Sequence, residues 1–415
     1  MKHVGRWMQV YCAVAIVFIV AACGGGSTSG QTGIKGPIHV GELFPMTGPN
    51  SFAGVWLQNG TNVGIYEINQ HGGINGINLE PNLQDTSNDP VDAVGAYRAA
   101  QLGHPNFYVG PTAVVSDAVL PLFASAHNVD FVISGSPTYD RMSYPTIFRA
   151  STSDTDQSTA MALYAIHANL KHAVLFFLAT ANSSDEVPPL VSAYKAHGGQ
   201  VLGTYLLSNT ATSYRSELSQ AFALHPDVAF FSMTPTNGAI LWTDMRQLGL
   251  PNIPWVGDNA GGIDDAKAMG LQLASQLMTQ TFQTSPAGPS YGELQADWQA
   301  VVHNNSVTPV SIVAYDSVII AALAMLDANS SDPSVFIKSI TKVTDEAGTE
   351  CPTYASCVAL LKNGTKIDYE GASGPMDFNQ YHNVFGGFNE LGFDTSGNFT
   401  TVYQMSAAQL AAFRG

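Results

Sequence analysis

The sequence predicts an α/β fold made of two doubly wound lobes, each a parallel sheet covered by helices. Short apolar runs alternate with stretches of helical spacing from Ile38 onward. After Asp154 the same alternation begins again and continues to about residue 283. Strands and helices that alternate at these lengths favour parallel sheets, and the repetition favours two lobes of similar design.

The first half of the chain contains five predicted strands and three predicted helices. The expected strands are 38–44, 78–84, 106–109, 130–134 and 146–150, and the expected helices are 52–69, 89–102 and 116–127. Pro81 cannot donate a backbone hydrogen bond, so the strand 78–84 should lie at the edge of its sheet.

The second half repeats the pattern and adds further elements. The expected strands are 173–179, 200–207, 228–233, 255–257, 277–283, 374–378 and 400–405. The expected helices are 158–170, 187–197, 214–224, 238–248, 291–303, 312–329 and 335–342. Doubly wound lobes bind ligands at the carboxyl ends of their strands, so a cleft between the two lobes is the expected binding site.

The composition excludes several classes of protein. The chain has 415 residues, of which 45% are hydrophobic, enough for two or three cored domains and too many for a disordered protein. Its net charge of −16 repels phosphate backbones, so nucleic acid is not an expected partner. Only 12% of the residues are charged, a surface habit that fits an exported protein.

The N-terminal segment predicts export. Lys2 and Arg6 precede an apolar run, 10–22, which is too short for a membrane-spanning helix and is typical of a signal peptide. Ala21 and Ala22 before Cys23 resemble the cleavage box of bacterial lipoproteins, in which the cysteine is acylated. We therefore expect a signal peptide at 1–22, a flexible tether at 23–36 and a lipid anchor on the outer face of the cell membrane. An ordinary signal peptide with Cys23 incidental is the alternative.

Two cysteines remain after Cys12 and Cys23 are assigned to the signal and the lipid. Cys351 and Cys357 are six residues apart and should form a disulfide in an oxidising compartment. Neither a second cysteine pair nor a histidine pair lies beside them in the sequence, so we expect no metal site there.

Seven short motifs occur in the order found in one family. They are Pro45-Met46-Thr47-Gly48-Pro49, Glu67-Ile68-Asn69 with Gly72-Gly73, Asp85 with Asp89-Pro90, Tyr108-Val109-Gly110-Pro111, Tyr144 to Arg149, Ala314-Tyr315-Asp316 and Gly374-Pro375-Met376-Asp377-Phe378. In these motifs, from about 37 to 405, the chain resembles the periplasmic solute-binding proteins of the leucine/isoleucine/valine-binding type.

The resemblance implies a type I periplasmic binding protein fold, with two lobes joined by a three-strand hinge. Lobe 1 would comprise 37–150 and 283–372, and lobe 2 would comprise 151–282 and 373–415. The implied function is that of a monomeric receptor without a cofactor, which closes on a small ligand and delivers it to an ATP-driven (ABC) permease. A branched-chain or other amino acid is the expected ligand.

Two loops of lobe 1 resemble those that hold the ligand carboxylate in this family. Thr112 and Ala113 follow one strand, and Ser136 and Thr138 follow the next. The first loop departs from the family because Ala113 and Val114 stand where a Ser-Ser pair is usual, so Thr112 with the Ala113 N–H is the expected substitute. Capping of the following helix is the alternative role of these hydroxyl groups.

The ammonium group of an amino acid requires a carboxylate, and lobe 2 offers candidates. Asp258 follows a strand at the position where the family carries its acidic partner, but a slip of one residue would place neutral Asn259 there. Glu186 lies where many relatives have a Tyr-Gly pair. A solvated loop aspartate is the alternative for Asp258, and a charge serving the helix dipole is the alternative for Glu186.

An aromatic wall is expected from Phe52 and Trp56, which lie where the family places an aromatic ring against its ligand. Packing in the protein core is the alternative for Trp56.

No enzyme is predicted, because the sequence lacks Gly-x-Ser-x-Gly, the phosphate-binding Gly-x-x-x-x-Gly-Lys and His-Glu-x-x-His. The alternative to an importer receptor is a ligand sensor, or a receptor for an amide, urea or an aromatic acid.

The lipid anchor predicts the behaviour of one variant. Cys23→Ser should be exported and released from membranes, because the acylated cysteine is its only expected anchor. Fractionation of cells into membrane and soluble material measures this, with the wild-type chain as the control. Full membrane retention of an exported Cys23→Ser protein would contradict the lipoprotein assignment.

Overall fold

A computed structural model describes residues 33–48, 50–283, 289–303 and 307–414. The predicted signal peptide and Cys23 lie outside the described residues. Residues 33–36, assigned to the predicted tether, are attached to lobe 1: the Gly33 N–H donates to the Asn329 carbonyl at 2.8 Å, and the Lys35 N–H donates to Ser331 Oγ at 3.0 Å. The assignment of these four residues to a free tether therefore does not fit the described contacts.

Lobe 1 is built on a parallel five-stranded sheet with the order β2-β1-β3-β4-β5. Its strands are β1 (Ile38–Phe44), β2 (Leu79–Asp85), β3 (Phe107–Thr112), β4 (Asp130–Ile133) and β5 (Ile147–Phe148). β2 lies at the edge, which confirms the prediction made from Pro81.

Helices cover both faces of this sheet. They are α1 (Ser51–Gln70), α2 (Pro90–Gln101), α3 (Ala113–Ala126), α11 (Tyr291–Val301), α12 (Pro309–Ala328), α13 (Pro333–Ile340) and α14 (Tyr354–Lys362). α1 packs closely on α12, where a Cβ at Gly60 would collide with the Ser311 carbonyl. α12 is long and apolar enough to span a membrane, but 83% of its most apolar stretch is buried, as in a core helix.

Lobe 2 is built on a seven-stranded sheet with the order β15-β14-β10-β9-β8-β6-β7. The first five of its strands in the chain run parallel to one another. β14 pairs antiparallel with both of its neighbours, β10 and β15. They are β6 (His172–Leu178), β7 (Gln200–Leu207), β8 (Val228–Ser232), β9 (Trp255–Gly257), β10 (Met278–Gln283), β14 (Phe388–Phe393) and β15 (Phe399–Met405).

The helices of lobe 2 also lie on both faces of its sheet. They are α4 (Asp154–His167), α5 (Ala181–Asp185), α6 (Val187–Ala196), α7 (Arg215–Phe222), α8 (Pro235–Leu248), α9 (Gly262–Met269), α10 (Leu271–Leu277) and α15 (Ala407–Arg414). A small sheet of β11 (Thr349–Cys351), β12 (Ile367–Gly371) and β13 (Gly374–Pro375) adjoins α12 and α14.

Both lobes have the same strand order, with the second strand at the edge and the third on the far side of the first. The order therefore reverses between β1 and β3 in lobe 1, and between β6 and β8 in lobe 2. Ligands of open α/β sheets bind at the carboxyl ends of the strands beside such a reversal. This places the candidate site at the residues that follow β1, β3, β6 and β8.

The crossings between the lobes lie side by side. The first crossing contains Arg149, and the third contains His382 and Val384. The Arg149 N–H donates to the His382 carbonyl at 2.8 Å, and the Val384 N–H donates to the Arg149 carbonyl at 3.2 Å. Thr152 Oγ1 donates to Gln283 Oε1, at the end of β10, at 3.3 Å. These contacts form the three-strand hinge that the fold requires.

The structure corrects several predicted elements. The predicted strand 374–378 is a strand only at Gly374 and Pro375. The helices expected from Ser158 and Ile312 begin four and three residues earlier, because Ser153 and Thr308 cap them. Helices α9, α10, α14 and α15 and strand β14 were not predicted; each is short, so its periodicity is weak.

Cys351 and Cys357 form a disulfide with a Cα–Cα separation of 5.2 Å. It links the end of β11 to the first turns of α14, and both cysteines are buried in the core of lobe 1. The disulfide therefore joins a short strand and a short helix at the periphery of that core.

Reduction of this disulfide should raise the mass of the protein by two hydrogen atoms, as measured by intact-mass spectrometry with and without reductant. Replacing both cysteines by serine should lower the free energy of unfolding by about 2 kcal/mol, because the small loop is no longer constrained in the unfolded chain. Two free thiols in freshly exported protein would contradict the pairing.

Candidate functional site

A hydrogen-bonded network connects the carboxyl ends of β6, β8 and β9 in lobe 2. Ser183 Oγ accepts from the Leu178 N–H at 2.9 Å and donates to the Ser232 carbonyl at 3.3 Å. Ser232 Oγ donates to Asp258 Oδ2 at 2.6 Å, and the Ala260 N–H donates to Asp258 Oδ1 at 3.1 Å. Three strands therefore hold the Asp258 carboxylate in place.

Asp258 and Glu186 are buried against each other. Each is 4% exposed, and the two carboxyl groups interact electrostatically. Burial raises the pKa of Asp258 to about 6, although Ser232 and Ala260 oppose the shift by hydrogen bonding. Burial also raises the pKa of Glu186 well above its usual range, and the negative charges of Asp258 and Asp154 add to this rise.

Burial rules out the alternative for Asp258, but not the one for Glu186. Asp258 is not a solvated loop residue, whereas its neighbour Asn259 is exposed. Glu186 occupies the N-cap position of α6, but its side chain makes no capping hydrogen bond there. Its Oε2 atom is buried without a hydrogen-bond partner. A buried acceptor of this kind is costly unless a donor reaches it.

Asp154 brings a third carboxyl group to the face between the lobes. It begins α4 and contacts lobe 1: its N–H donates to the Gly135 carbonyl at 2.7 Å, and a Cβ at Gly135 would collide with its carboxylate. Burial raises its pKa to about 7, the Arg149 charge opposes this, and Asp258 adds to it. Asp140 and Asp185 are the other acidic neighbours that raise it.

Arg149 is the cation whose charge acts on Asp154, and its guanidinium group is already hydrogen-bonded within lobe 1. Its Nη2 pairs with Asp140 Oδ1 at 2.7 Å, and its Nη1 donates to the Ser136 carbonyl at 3.0 Å. The side chain is almost fully buried. Arg149 thus braces the loop of lobe 1 that faces Asp154, and its two terminal nitrogens are occupied.

Thr112 and Ala113 lie at the carboxyl end of β3, beside the strand-order reversal of lobe 1. Thr112 occupies the N-cap position of α3 but makes no capping hydrogen bond, and its Oγ1 is buried without a partner. Ala113 is the first residue of α3. The capping alternative is therefore wrong for Thr112.

Ser136 and Thr138 occupy a short 3₁₀ turn. Ser136 Oγ accepts from the Thr138 N–H at 3.4 Å, so Ser136 caps this turn, as the alternative proposed. Thr138 is exposed, and its N–H is engaged by that cap. The Ser136 carbonyl is occupied by Arg149. This loop therefore offers a ligand fewer groups than the loop at Thr112.

Phe52 and Trp56 lie in the first turns of α1, just after β1. Their rings meet edge to face with centroids 5.0 Å apart. Phe52 is 37% exposed and Trp56 is half-buried, outside the core clusters of lobe 1. Core packing is therefore wrong for Trp56, and the pair forms an aromatic surface at the carboxyl end of the sheet.

The two lobes approach each other where α3 faces α5. Burial raises the pKa of Asp185 on α5, and the negative charge of Asp117 on α3 adds to this rise. Two cavities, of about 330 Å³ beside Lys35 and Asp332 and about 240 Å³ beside Trp298, lie on lobe 1 away from this face. Since Asp258 and Glu186 are buried, the lobes must separate before a ligand can reach them.

A different group of titratable side chains lies close together on lobe 1. Glu67, His71 and Glu293 have ligand atoms within 4.8 Å of one another, and no other trio of His, Cys, Asp or Glu in the described ranges meets that criterion. The Glu67 oxygens already accept from the Tyr315 hydroxyl and the Tyr354 N–H. This cluster joins α1 to α11, where Glu293 lies, and the hydrogen bonds of Glu67 join it to α12 and α14.

Sequence reasoning missed Asp154, Arg149, Ser183 and Ser232 as contributors. Arg149 ends one of the seven motifs, and Asp154 follows the first crossing between the lobes, so their positions at the hinge were a usable signal. Ser183 and Ser232 carry no such signal, because serines are frequent at the ends of strands.

The sequence matches the profile of the periplasmic binding protein family over residues 37–383, and the chain therefore belongs to this family. The Leu/Ile/Val-binding protein homolog 1 of Brucella abortus (strain 2308) is 26% identical over 165 residues, which cover 37% of this chain and 40% of the relative. The same protein of Brucella suis matches equally. The matched region spans less than half of these relatives.

Solved structures have the same fold. The leucine-binding protein of Thermotoga maritima superposes with a TM-score of 0.74 and 17% identity, covering 89% of this chain and 99% of that one. A branched-chain amino acid binding protein of Streptococcus pneumoniae, in complex with isoleucine, superposes with a TM-score of 0.73 and 17% identity. The match covers 89% of this chain and 99% of that one. A solute-binding protein of R. palustris, in complex with benzoate, superposes with a TM-score of 0.72 and 16% identity. The match covers 89% of this chain and 97% of that one.

The buried carboxyl of Asp258 predicts a pH dependence of stability. Its pKa is raised from 3.8 to about 6, so between these values the folded protein retains a proton that the unfolded chain has lost. The Asp258 carboxyl therefore lowers the free energy of unfolding by about 2 to 3 kcal/mol as pH rises from 4 to 7.

Asp258→Asn should remove this part of the pH dependence, as measured by denaturant unfolding across that range. The control is Asp345→Asn, an exposed residue paired with Lys366 at 2.8 Å, whose pKa is lowered. Parallel pH profiles for wild type and Asp258→Asn would contradict the burial of this carboxyl group.

Proposed function

We propose that this protein is an extracytoplasmic receptor that binds a small amine-bearing ligand between its lobes for delivery to an ABC importer. The observation that carries the proposal is the buried pair Asp258–Glu186 at the carboxyl ends of the lobe 2 strands. A carboxylate held in a closed cleft is the partner that an ammonium group requires. The chain's membership of the periplasmic binding protein family supports the receptor role.

Lobe 1 supplies the groups for the other end of the ligand. The unpartnered Thr112 hydroxyl and the Ala113 N–H, at the start of α3, suit a carboxylate or carbonyl oxygen. Phe52 and Trp56 offer an aromatic surface for an apolar part. An amino acid would therefore be held by its carboxylate in lobe 1 and by its ammonium group in lobe 2.

The charges of the cleft favour amino compounds over aromatic acids. The neighbouring structures include complexes with isoleucine and with benzoate, so the fold alone does not select a ligand. Benzoate is an anion without N–H donors, so it brings no cation to Asp154, Glu186 and Asp258, and Arg149, which could pair with it, is already paired with Asp140. The same groups attract an ammonium ion.

Closure couples binding to delivery in this proposal. A ligand that contacts both lobes binds the closed state more tightly than the open state, and so shifts the protein towards closure. We assign lobe 1 to 37–150 and 283–372 and lobe 2 to 151–282 and 373–415, except that residues 373–381 stay with lobe 1, because β13 pairs with β12 and Met376 lies in the lobe 1 core. The protein would act as a monomer, lipid-anchored through Cys23, with the permease as its partner.

Ligand binding tests the proposal. Thermal unfolding of the purified protein should shift upward with one or more of the twenty amino acids, because a ligand at 100 times its dissociation constant adds about 2.7 kcal/mol. Benzoate and 3,4-dihydroxybenzoate serve as probes of the opposite charge. A shift with these acids and with no amino acid would contradict the proposal.

One variant tests whether the Asp258 carboxylate binds the ligand, as the proposed function requires. Asp258→Ala should weaken binding of an amine-bearing ligand by about 3 kcal/mol, on the order of 100-fold, measured by calorimetry. Asn259→Ala is the matched control, since its side chain is exposed beside the same strand, and it should change the affinity little. Equal effects of the two substitutions would remove Asp258 from the site.

A further inference from the structure

The three carboxyl groups of the cleft are spread over three different elements. Asp154 begins α4, Glu186 lies between α5 and α6, and Asp258 follows β9. A single ammonium nitrogen that donates to three carboxylates at about 2.8 Å brings their oxygens to about 4.6 Å from one another. In the described parts of the chain only Glu67, His71 and Glu293 are that close. One nitrogen, or one metal ion, therefore cannot contact all three cleft carboxyls as they are arranged.

One acceptor in this group has no partner within the protein. Glu186 is 4% exposed and its Oε2 atom makes no hydrogen bond, although the other residues of the network are linked to one another. The Asp258 oxygens accept from Ser232 and Ala260. A donor that reaches Glu186 therefore gains a hydrogen bond that the protein alone does not supply.

The arrangement also holds more carboxyl groups than the donors of one nitrogen can reach. Three carboxyls meet there, with Asp140 and Asp185 as further acidic neighbours, and the Arg149 guanidinium is engaged by Asp140 and the Ser136 carbonyl. A ligand whose donors all stand on one nitrogen would leave at least one of the three carboxyls without a donor from the ligand.

We propose that the ligand presents a cationic group with N–H donors on more than one nitrogen, as a guanidinium group or a pair of amines does. This inference rests on the proposed function and narrows its ligand class to basic amino acids and related guanidino or diamino compounds. A guanidinium is planar and has five N–H donors, so one edge can reach Glu186 and Asp258 while another reaches Asp154. The α-carboxylate of a basic amino acid would remain for Thr112 and Ala113.

Matched ligands test the inference on the unaltered protein. Arginine and citrulline have nearly the same shape, but citrulline carries a neutral ureido group in place of the guanidinium. Calorimetric titration of the purified protein should give arginine at least 30-fold tighter binding than citrulline or leucine. Ornithine, which has two amines, should also bind more tightly than leucine.

Matched variants locate the selectivity. Glu186→Gln and Asp154→Asn, each nearly isosteric, should each weaken arginine binding at least 10-fold and by a larger factor than leucine binding, because leucine brings a single ammonium group. Asp345→Asn, remote from the cleft, should leave both affinities unchanged. Circular dichroism before each titration verifies that a variant is folded, and the comparison of ligands on the wild type does not depend on any variant folding.

The outcomes separate this inference from the proposed function. Leucine binding as tight as arginine binding, with no loss in Glu186→Gln, would overturn the inference and leave an amino acid receptor. Equal affinity for arginine and citrulline would overturn it likewise. Binding of benzoate with no binding of any amino compound, or no binding of any of these probes, would overturn both.

Discussion

The burial of the Asp258 carboxyl against that of Glu186 is the interaction on which the account of this protein depends. Two acidic groups in contact and out of water are unfavourable when both are ionised, and their raised pKa values reflect this. The surrounding sheet tolerates the arrangement because Ser232 and Ala260 hold one carboxyl in place. A cation that enters the cleft replaces the protons and relieves the repulsion.

The rest of the architecture positions this pair. Parallel strands bring Asp258, Ser232 and Ser183 to one edge of lobe 2, and the reversal of strand order opens a crevice there. The hinge places Arg149 and Asp154 between the lobes, so the loop at Gly135 closes over the same crevice. The absence of a side chain at Gly135 permits this close approach. In the proposed function, closing the hinge and completing the site are therefore one movement.

Much of the fold follows from local patterns, but the site does not. The edge position of β2 follows from Pro81, and the two lobes follow from the repeated alternation, because both depend on neighbours in the sequence. Asp258 could be named from its position after a strand. Its contact with Glu186 joins residues 72 positions apart, and it depends on how β6 and β9 are ordered in the sheet. Thr112 could be named, but that its hydroxyl remains unpartnered is visible only in the packed structure.

The number of protons released when the ligand binds measures whether the buried carboxyls of the cleft are protonated. Arginine titrated at pH 6.5 into the purified protein in phosphate and in Tris, buffers of different ionisation enthalpy, gives this number from the difference in observed heats. The account predicts net proton release, since the ligand cation lowers pKa values that burial holds high. Binding with no proton release, or with proton uptake, would contradict the claim that protonated carboxyls line the closed cleft.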